Sequence, residues 1–187
     1  MQTRRSLMFA RRQAPVHRPR FLDIEAQAEE AAHRLVVRLS QGNNTLALAE
    51  SCTAGLVSDL IARVGGASAV LWGAFVCYSA DAKERMLCMD GGLLRQYGLV
   101  SRQTARQMAV RAQDISGASI AAAVTGLAGP LGDGSGTPVG TVWVAVRGTE
   151  NQGREKELHF LGTRAEVRMQ AAAAVLDELL DLVVVNG

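Results

Sequence analysis

Aromatic side chains are scarce, at 4% of 187 residues. So small a supply argues against the stacking platforms that hold single-stranded nucleic acid. No apolar run reaches the roughly 18 residues that a bilayer crossing needs, so no membrane association is expected. The first 20 residues hold no acid, while six arginines crowd there: Arg4, Arg5, Arg11, Arg12, Arg18 and Arg20. The whole chain is only +2 at pH 7, so the remainder is net negative. An acidic body speaks against a broad nucleic-acid groove. The basic segment also lacks the long apolar stretch of a secretory signal. Residues 1–20 are therefore expected to be a disordered Arg-rich tail. A basic arm, a targeting peptide and an upstream start codon are the other readings of that composition.

Cysteine is equally sparse. Cys52, Cys77 and Cys88 make an odd count with no signal peptide, which reads as free thiols in a reducing, cytoplasmic setting. The three histidines, His17, His33 and His159, share no ligand spacing with them. No metal site and no cofactor are expected. Lysine is rarer still, with two against eighteen arginines.

What remains is enough for one core: 48% hydrophobic and 20% charged residues. Residues 21–187 read as one domain. Apolar spacing predicts a helix over 23–40, stopped by Gly42-Asn43-Asn44. Thr45–Ala49 reads as a buried strand, and a helical pattern runs to Val64, with Ser51 or Thr53 as its N-cap. Residues 69–79 read as a strand, 81–88 and 91–98 as short helices, and 102–116 as a helix between Ser101 and Gly117. Residues 119–124, 139–146 and 155–160 read as strands around a Gly-rich stretch from Gly126 to Gly136. A helix over 164–184 closes the chain. This order predicts an α/β fold, a single-domain three-layer α/β/α sandwich with a mixed sheet.

Four features can carry chemistry. Ser51 sits where a strand turns into a helix. There a hydroxyl is either a plain N-cap or a nucleophile beside N–H groups that can stabilise an oxyanion. Lys83 follows Tyr78 by five residues. It is either a solvated lysine after a core tyrosine or a base, because lysine can lose its proton when desolvated and arginine cannot. The run Thr125–Gly136 is either a flexible connection or a phosphate-approaching loop, and it matches neither a Walker A nor a Rossmann pattern. Cys52 is a rival nucleophile if a helix N-terminus lowers its pKa, with His159 as the available partner. Arg164 and Arg168 open the last helix, as solvated cations or phosphate contacts.

The ordered set Ala49-Glu50-Ser51-Cys52-Thr53-Ala54-Gly55, Tyr78-Ser79 with Lys83, Gly98-Leu99-Val100-Ser101, Thr125-Gly126-Leu127-Ala128-Gly129-Pro130 and Pro138-Val139-Gly140-Thr141-Val142 resembles the CinA C-terminal domain family. The resemblance runs from about residue 25 to 183. It finds no counterpart of the nucleotide-hydrolysing N-terminal domain of longer members, so the stand-alone form is expected. Three positions depart from the family pattern: Ala54 replaces a glycine, Ala80 an asparagine, and Thr163 the aspartate of Gly-Asp-Arg.

The resemblance implies hydrolysis of the carboxamide of nicotinamide mononucleotide to nicotinate mononucleotide and ammonia. It implies Ser51 as nucleophile, Lys83 as base, Tyr78 positioning that pair, and helix N–H groups after Ser51 as the oxyanion site. It implies substrate contacts from Glu50, Thr53, Gly55, Thr125, Gly126, Gly129 and Arg164. The partner it implies is a small nucleotide, in a homo-oligomer that is a dimer or larger. Two alternatives stand beside it: a nucleotide-binding or regulatory module with little hydrolase activity, and a serine amidase for another small amide.

Overall fold

The computed structural model describes residues 21–149 and 152–185, so the Arg-rich segment 1–20 lies outside the described residues. The elements run α1 (Phe21–Gln41), β1 (Leu46–Glu50), α2 (Leu56–Ala62), β2 (Leu71–Val76), α3 (Ala80–Leu87), α4 (Gly91–Tyr97), α5 (Arg102–Ser116), β3 (Ile120–Gly126), β4 (Thr141–Arg147), β5 (Gly153–His159) and α6 (Arg164–Val185). Local chemistry sets several boundaries. Ser79, Asp90 and Ser101 each accept a backbone N–H from the first turn of the helix that follows. Gly117 ends α5 in the left-handed conformation.

The strands form one mixed sheet in the order β2-β1-β3-β4-β5. The first three are parallel and the last two antiparallel. Alternation along the strands divides the side chains by size. Leu46, Leu48, Ile120, Val124, Val142, Val144 and Val146 pack into a core with α1, α2 and α6. Ala47, Ala49, Ala121, Ala123 and Ala145 face the other way, under Ala105, Met108, Ala109 and Ala112 of α5. Small residues on both surfaces let this helix lie close to the sheet. The result is the expected α/β/α sandwich.

At the β5 edge a charge clamp joins sheet to helix. Arg154 Nε and Lys156 Nζ each donate to the Glu178 carboxylate of α6 at 2.6 Å. Burial pushes the Glu178 carboxyl up, but these bonds outweigh it and hold its pKa below the usual value.

The connections place the site. From β1 to β2 the chain crosses through α2 on one face. From β2 to β3 it crosses through α3, α4 and α5 on the other. Crossovers that leave on opposite faces open a crevice at the carboxyl ends of the strands between them. The carboxyl end of β1 is Glu50, followed by Ser51.

Candidate active site

Alternation continues past the end of β1 and sends neighbouring residues to opposite faces. Glu50 shares the face of Leu46 and Leu48, where α2 lies. Ser51 shares the face of Ala47 and Ala49, where α3 lies. Two backbone bonds keep the ladder in register here: Ser51 N–H to Val124 O at 3.0 Å, and Cys77 N–H to Glu50 O at 2.9 Å.

Glu50 caps α2 from a distance. Its carboxylate accepts from the N–H groups of Gly55, Val57 and Ser58 at 2.9, 3.1 and 2.9 Å. This corrects two sequence expectations. Neither Ser51 nor Thr53 is the N-cap; that position is Gly55, with φ 93° and no side-chain cap of its own. The N–H groups at the start of α2 are also occupied by Glu50, so they are not the free donors expected for an oxyanion. Its carboxylate serves the helix rather than an open pocket. Ala54, beside it, has φ 50°, a left-handed conformation that costs an L-residue about 1 kcal/mol and suits glycine.

On the opposite face, Lys83 lies on the inner side of α3, one turn before Leu87, and both are fully buried. Its Nζ is 2.9 Å from Ser51 Oγ, 2.9 Å from Cys77 O and 3.5 Å from Tyr78 O. It makes no ion pair among the described residues. Burial therefore lowers its pKa below the usual lysine value of 10.5. A neutral amine has two N–H donors and one lone pair. Two carbonyls and one hydroxyl match that set: in its neutral form the amine would donate to the carbonyls and accept from the Ser51 hydroxyl. The reading of Lys83 as a solvated residue is thus overturned, and so is that of Tyr78 as a core residue.

The Tyr78 phenol turns outward, half exposed, and accepts from Arg164 Nη2. Only the Tyr78 main-chain carbonyl reaches the lysine, so its phenol does not position the Ser51–Lys83 pair as the resemblance implied. Arg164 Nη1 donates to Gly129 O at 2.9 Å. It ties the start of α6 to the 126–130 loop and to the β2–α3 corner. Thr125 is buried, and its hydroxyl donates to Leu99 O at 2.7 Å. Gly126 sits where a Cβ would come within 2.7 Å of Val142 and 2.9 Å of Thr141 O, so close strand packing demands glycine there.

Cys52 is buried and its thiol is pushed up to about 12, mainly by that burial. A thiol held protonated is no nucleophile, which overturns the rival reading. His159, on β5, contacts Thr141 and Glu157 rather than Cys52. Arg168 is not left for a phosphate either. Its Nε donates to Cys52 O at 3.1 Å and its Nη2 to Thr53 O at 2.6 Å. Sequence reasoning missed this contact, which no spacing rule signals. Among the described residues no cluster of His, Cys, Asp and Glu could hold a metal ion. No helix among them is long and apolar enough to cross a membrane.

Comparison with known proteins bears on the family and the fold. The family model for the CinA C-terminal domain matches residues 28–183. A CinA-like protein of Geobacter sulfurreducens is 40% identical over 168 residues, covering 88% of this chain and 40% of that protein. One of Citrifermentans bemidjiense is 42% identical over 153 residues, 81% of this chain and 36% of its own. The chain thus spans well under half the length of these relatives. It spans nearly all of another, the nicotinamide-nucleotide amidohydrolase PncC of Enterobacter agglomerans, which is 36% identical over 157 residues, 82% of this chain and 96% of that one. Among solved structures, the competence/damage inducible protein CihA of Agrobacterium tumefaciens superposes with a TM-score of 0.79 at 37% identity, covering 86% and 96% of the two chains. Motif order, fold and relatives converge: the chain belongs to the CinA C-terminal domain family.

Proposed function

We propose that this protein hydrolyses the carboxamide of nicotinamide mononucleotide, releasing ammonia and nicotinate mononucleotide. One observation carries the reaction class: a fully buried lysine without a counter-ion, 2.9 Å from a buried serine hydroxyl. The substrate rests on the likeness to the Enterobacter agglomerans amidohydrolase, which the chain matches over nearly its whole length.

In this reading Lys83 takes the Ser51 hydroxyl proton as Oγ bonds to the carboxamide carbon. The carbonyl oxygen becomes an oxyanion. The N–H groups of Cys52 and Thr53, which have no acceptor in another residue among the described ones, are the donors nearest in sequence to Ser51. Collapse breaks the C–N bond, and Lys83 returns its proton to the departing nitrogen, which leaves as ammonia. A water molecule then gives a proton to Lys83 and attacks the Ser51 ester. Breaking the C–Oγ bond returns that proton to Ser51 and frees the carboxylic acid, which loses its own proton to water as it ionises to the carboxylate.

Arg164, with the loop carrying Gly126 and Gly129, would meet the nucleotide phosphate. Assembly into a dimer or larger oligomer and a cytoplasmic setting in NAD recycling belong to the same proposal.

The test is incubation with nicotinamide mononucleotide, following ammonia and nicotinate mononucleotide, beside Ser51→Ala. Both products are expected, with turnover falling at least about 10³-fold in the variant. Nucleotide binding without turnover in the unaltered protein would replace the amidase by a nucleotide-binding module. Neither binding nor turnover would remove this substrate.

A further inference from the structure

Thr53 is wholly buried, and its polar atoms are unevenly served. Its carbonyl oxygen is held by Arg168 Nη2. Its Oγ1 is buried with no hydrogen-bond partner, and its N–H has no acceptor among the described residues. Native proteins rarely leave buried polar atoms unpaired, and here two fall on one residue. The residue lies two positions after Ser51.

Arg168 bears on the same peptide. A trans peptide unit points its C=O and N–H in opposite directions. Arg168 Nε holds the carbonyl of the Cys52–Thr53 unit, so the Thr53 N–H of that unit points away from α6. The next unit is fixed at both ends: Arg168 holds Thr53 O, and Ala54 N–H donates to Ser51 O at 3.1 Å. A cation on the carbonyl also polarises its peptide and strengthens the N–H as a donor.

We propose that Arg168 is a positioning residue that aims the Thr53 N–H at the oxyanion formed when Ser51 attacks a carbonyl. The inference rests on the reading of Ser51 as nucleophile. It does not depend on which amide is the substrate. A fork on α6 grips two successive carbonyls of the nucleophile turn and fixes the direction of the Thr53 amide, which joins that of Cys52 at the transition state. Lysine cannot reproduce this, because a single ammonium lacks the planar fork.

Two measurements test it: steady-state hydrolysis of nicotinamide mononucleotide, and the rate at which a fluorophosphonate labels Ser51, read by intact mass. Phosphonylation places an oxygen where the oxyanion would sit, whatever the natural substrate. Arg168→Ala should lower kcat about 10- to 100-fold while KM moves less than about threefold. Labelling should slow by a similar factor, Arg168→Lys should fall between, and added guanidinium should restore part of the alanine variant's rate. An unchanged kcat with a raised KM would overturn the inference and make Arg168 a substrate ligand. If the alanine variant does not fold, Arg168→Lys and Arg168→Gln carry the comparison, and wild-type labelling rates in both overturn it. A wild type that is labelled yet leaves the nucleotide intact overturns the substrate reading alone, and labelling rates then decide the role of Arg168. A wild type that is neither labelled nor active overturns both.

Discussion

Lys156 ends 2.6 Å from the Glu178 carboxylate, whereas Lys83 ends among one hydroxyl and two carbonyl oxygens with no acid beside it. The same side chain is a structural cation in one place and, in the proposed reaction, a base in the other. The difference fixes a pH signature. Burial lowers the Lys83 pKa in the folded protein, so between that value and about 10.5 the unfolded chain binds the extra proton. Stability is therefore expected to rise with pH across that window and to flatten above it. The kcat/KM of the proposed reaction should rise along a limb whose midpoint also lies below 10.5. Lys83→Met should erase the stability slope in urea titrations at several pH values and cut turnover by about 10²–10⁴-fold. Lys83→Arg should be as inactive, and less stable, because a permanent charge would be buried unpaired. A stability slope that survives in Lys83→Met would mean that another group titrates. The chemistry of Lys83 was legible from composition, since a retained lysine in an arginine-rich chain invites the question. Its burial was not, because Ala82 and Glu84 on either side give no sign of which face turns inward.

Helix α2 has seven residues and begins at a glycine with no side-chain cap. So short a helix holds through its packing and through Glu50, whose carboxylate takes three of its early N–H groups. Glu50→Gln keeps one acceptor oxygen and loses the charge. It should destabilise the protein by about 1–3 kcal/mol in urea unfolding. Glu50→Ala should cost more, since three N–H groups then lie unpaired. A Gln variant as stable as the wild type would show that packing alone holds α2. Capping rules look for a partner just before the helix, and so they pointed to Ser51 and Thr53. The turn from 51 to 55 instead folds back, and the cap reaches forward from the strand. Helix α5 was legible at both ends because Ser101 and Gly117 act locally on their own neighbours. Strand order was not legible from spacing. β1 lies between β2 and β3, and its pairing with β3 spans more than 70 residues with no local signal.

Across the whole molecule, Ser51 and Lys83 meet because the crossover from β1 to β2 runs on one face and that from β2 to β3 on the other, which brings α3 under the carboxyl end of β1. The family resemblance named this pair, but its geometry needed the sheet. The Tyr78 phenol was misassigned for the same reason: the β2–α3 corner turns it out toward α6 and Arg164. The layout also sorts the charges by depth, with Lys83 sealed inside and Arg164 at the surface. Mobile ions screen exposed charges over about 3 Å at 1 M salt and reach sealed ones far less. Added sodium chloride should thus act on capture and chemistry separately. Between 0.05 and 1 M, KM for the nucleotide should climb at least about threefold while kcat changes less than about twofold. A kcat that collapses with salt would place the rate-setting charge outside the protein, in reach of the solvent.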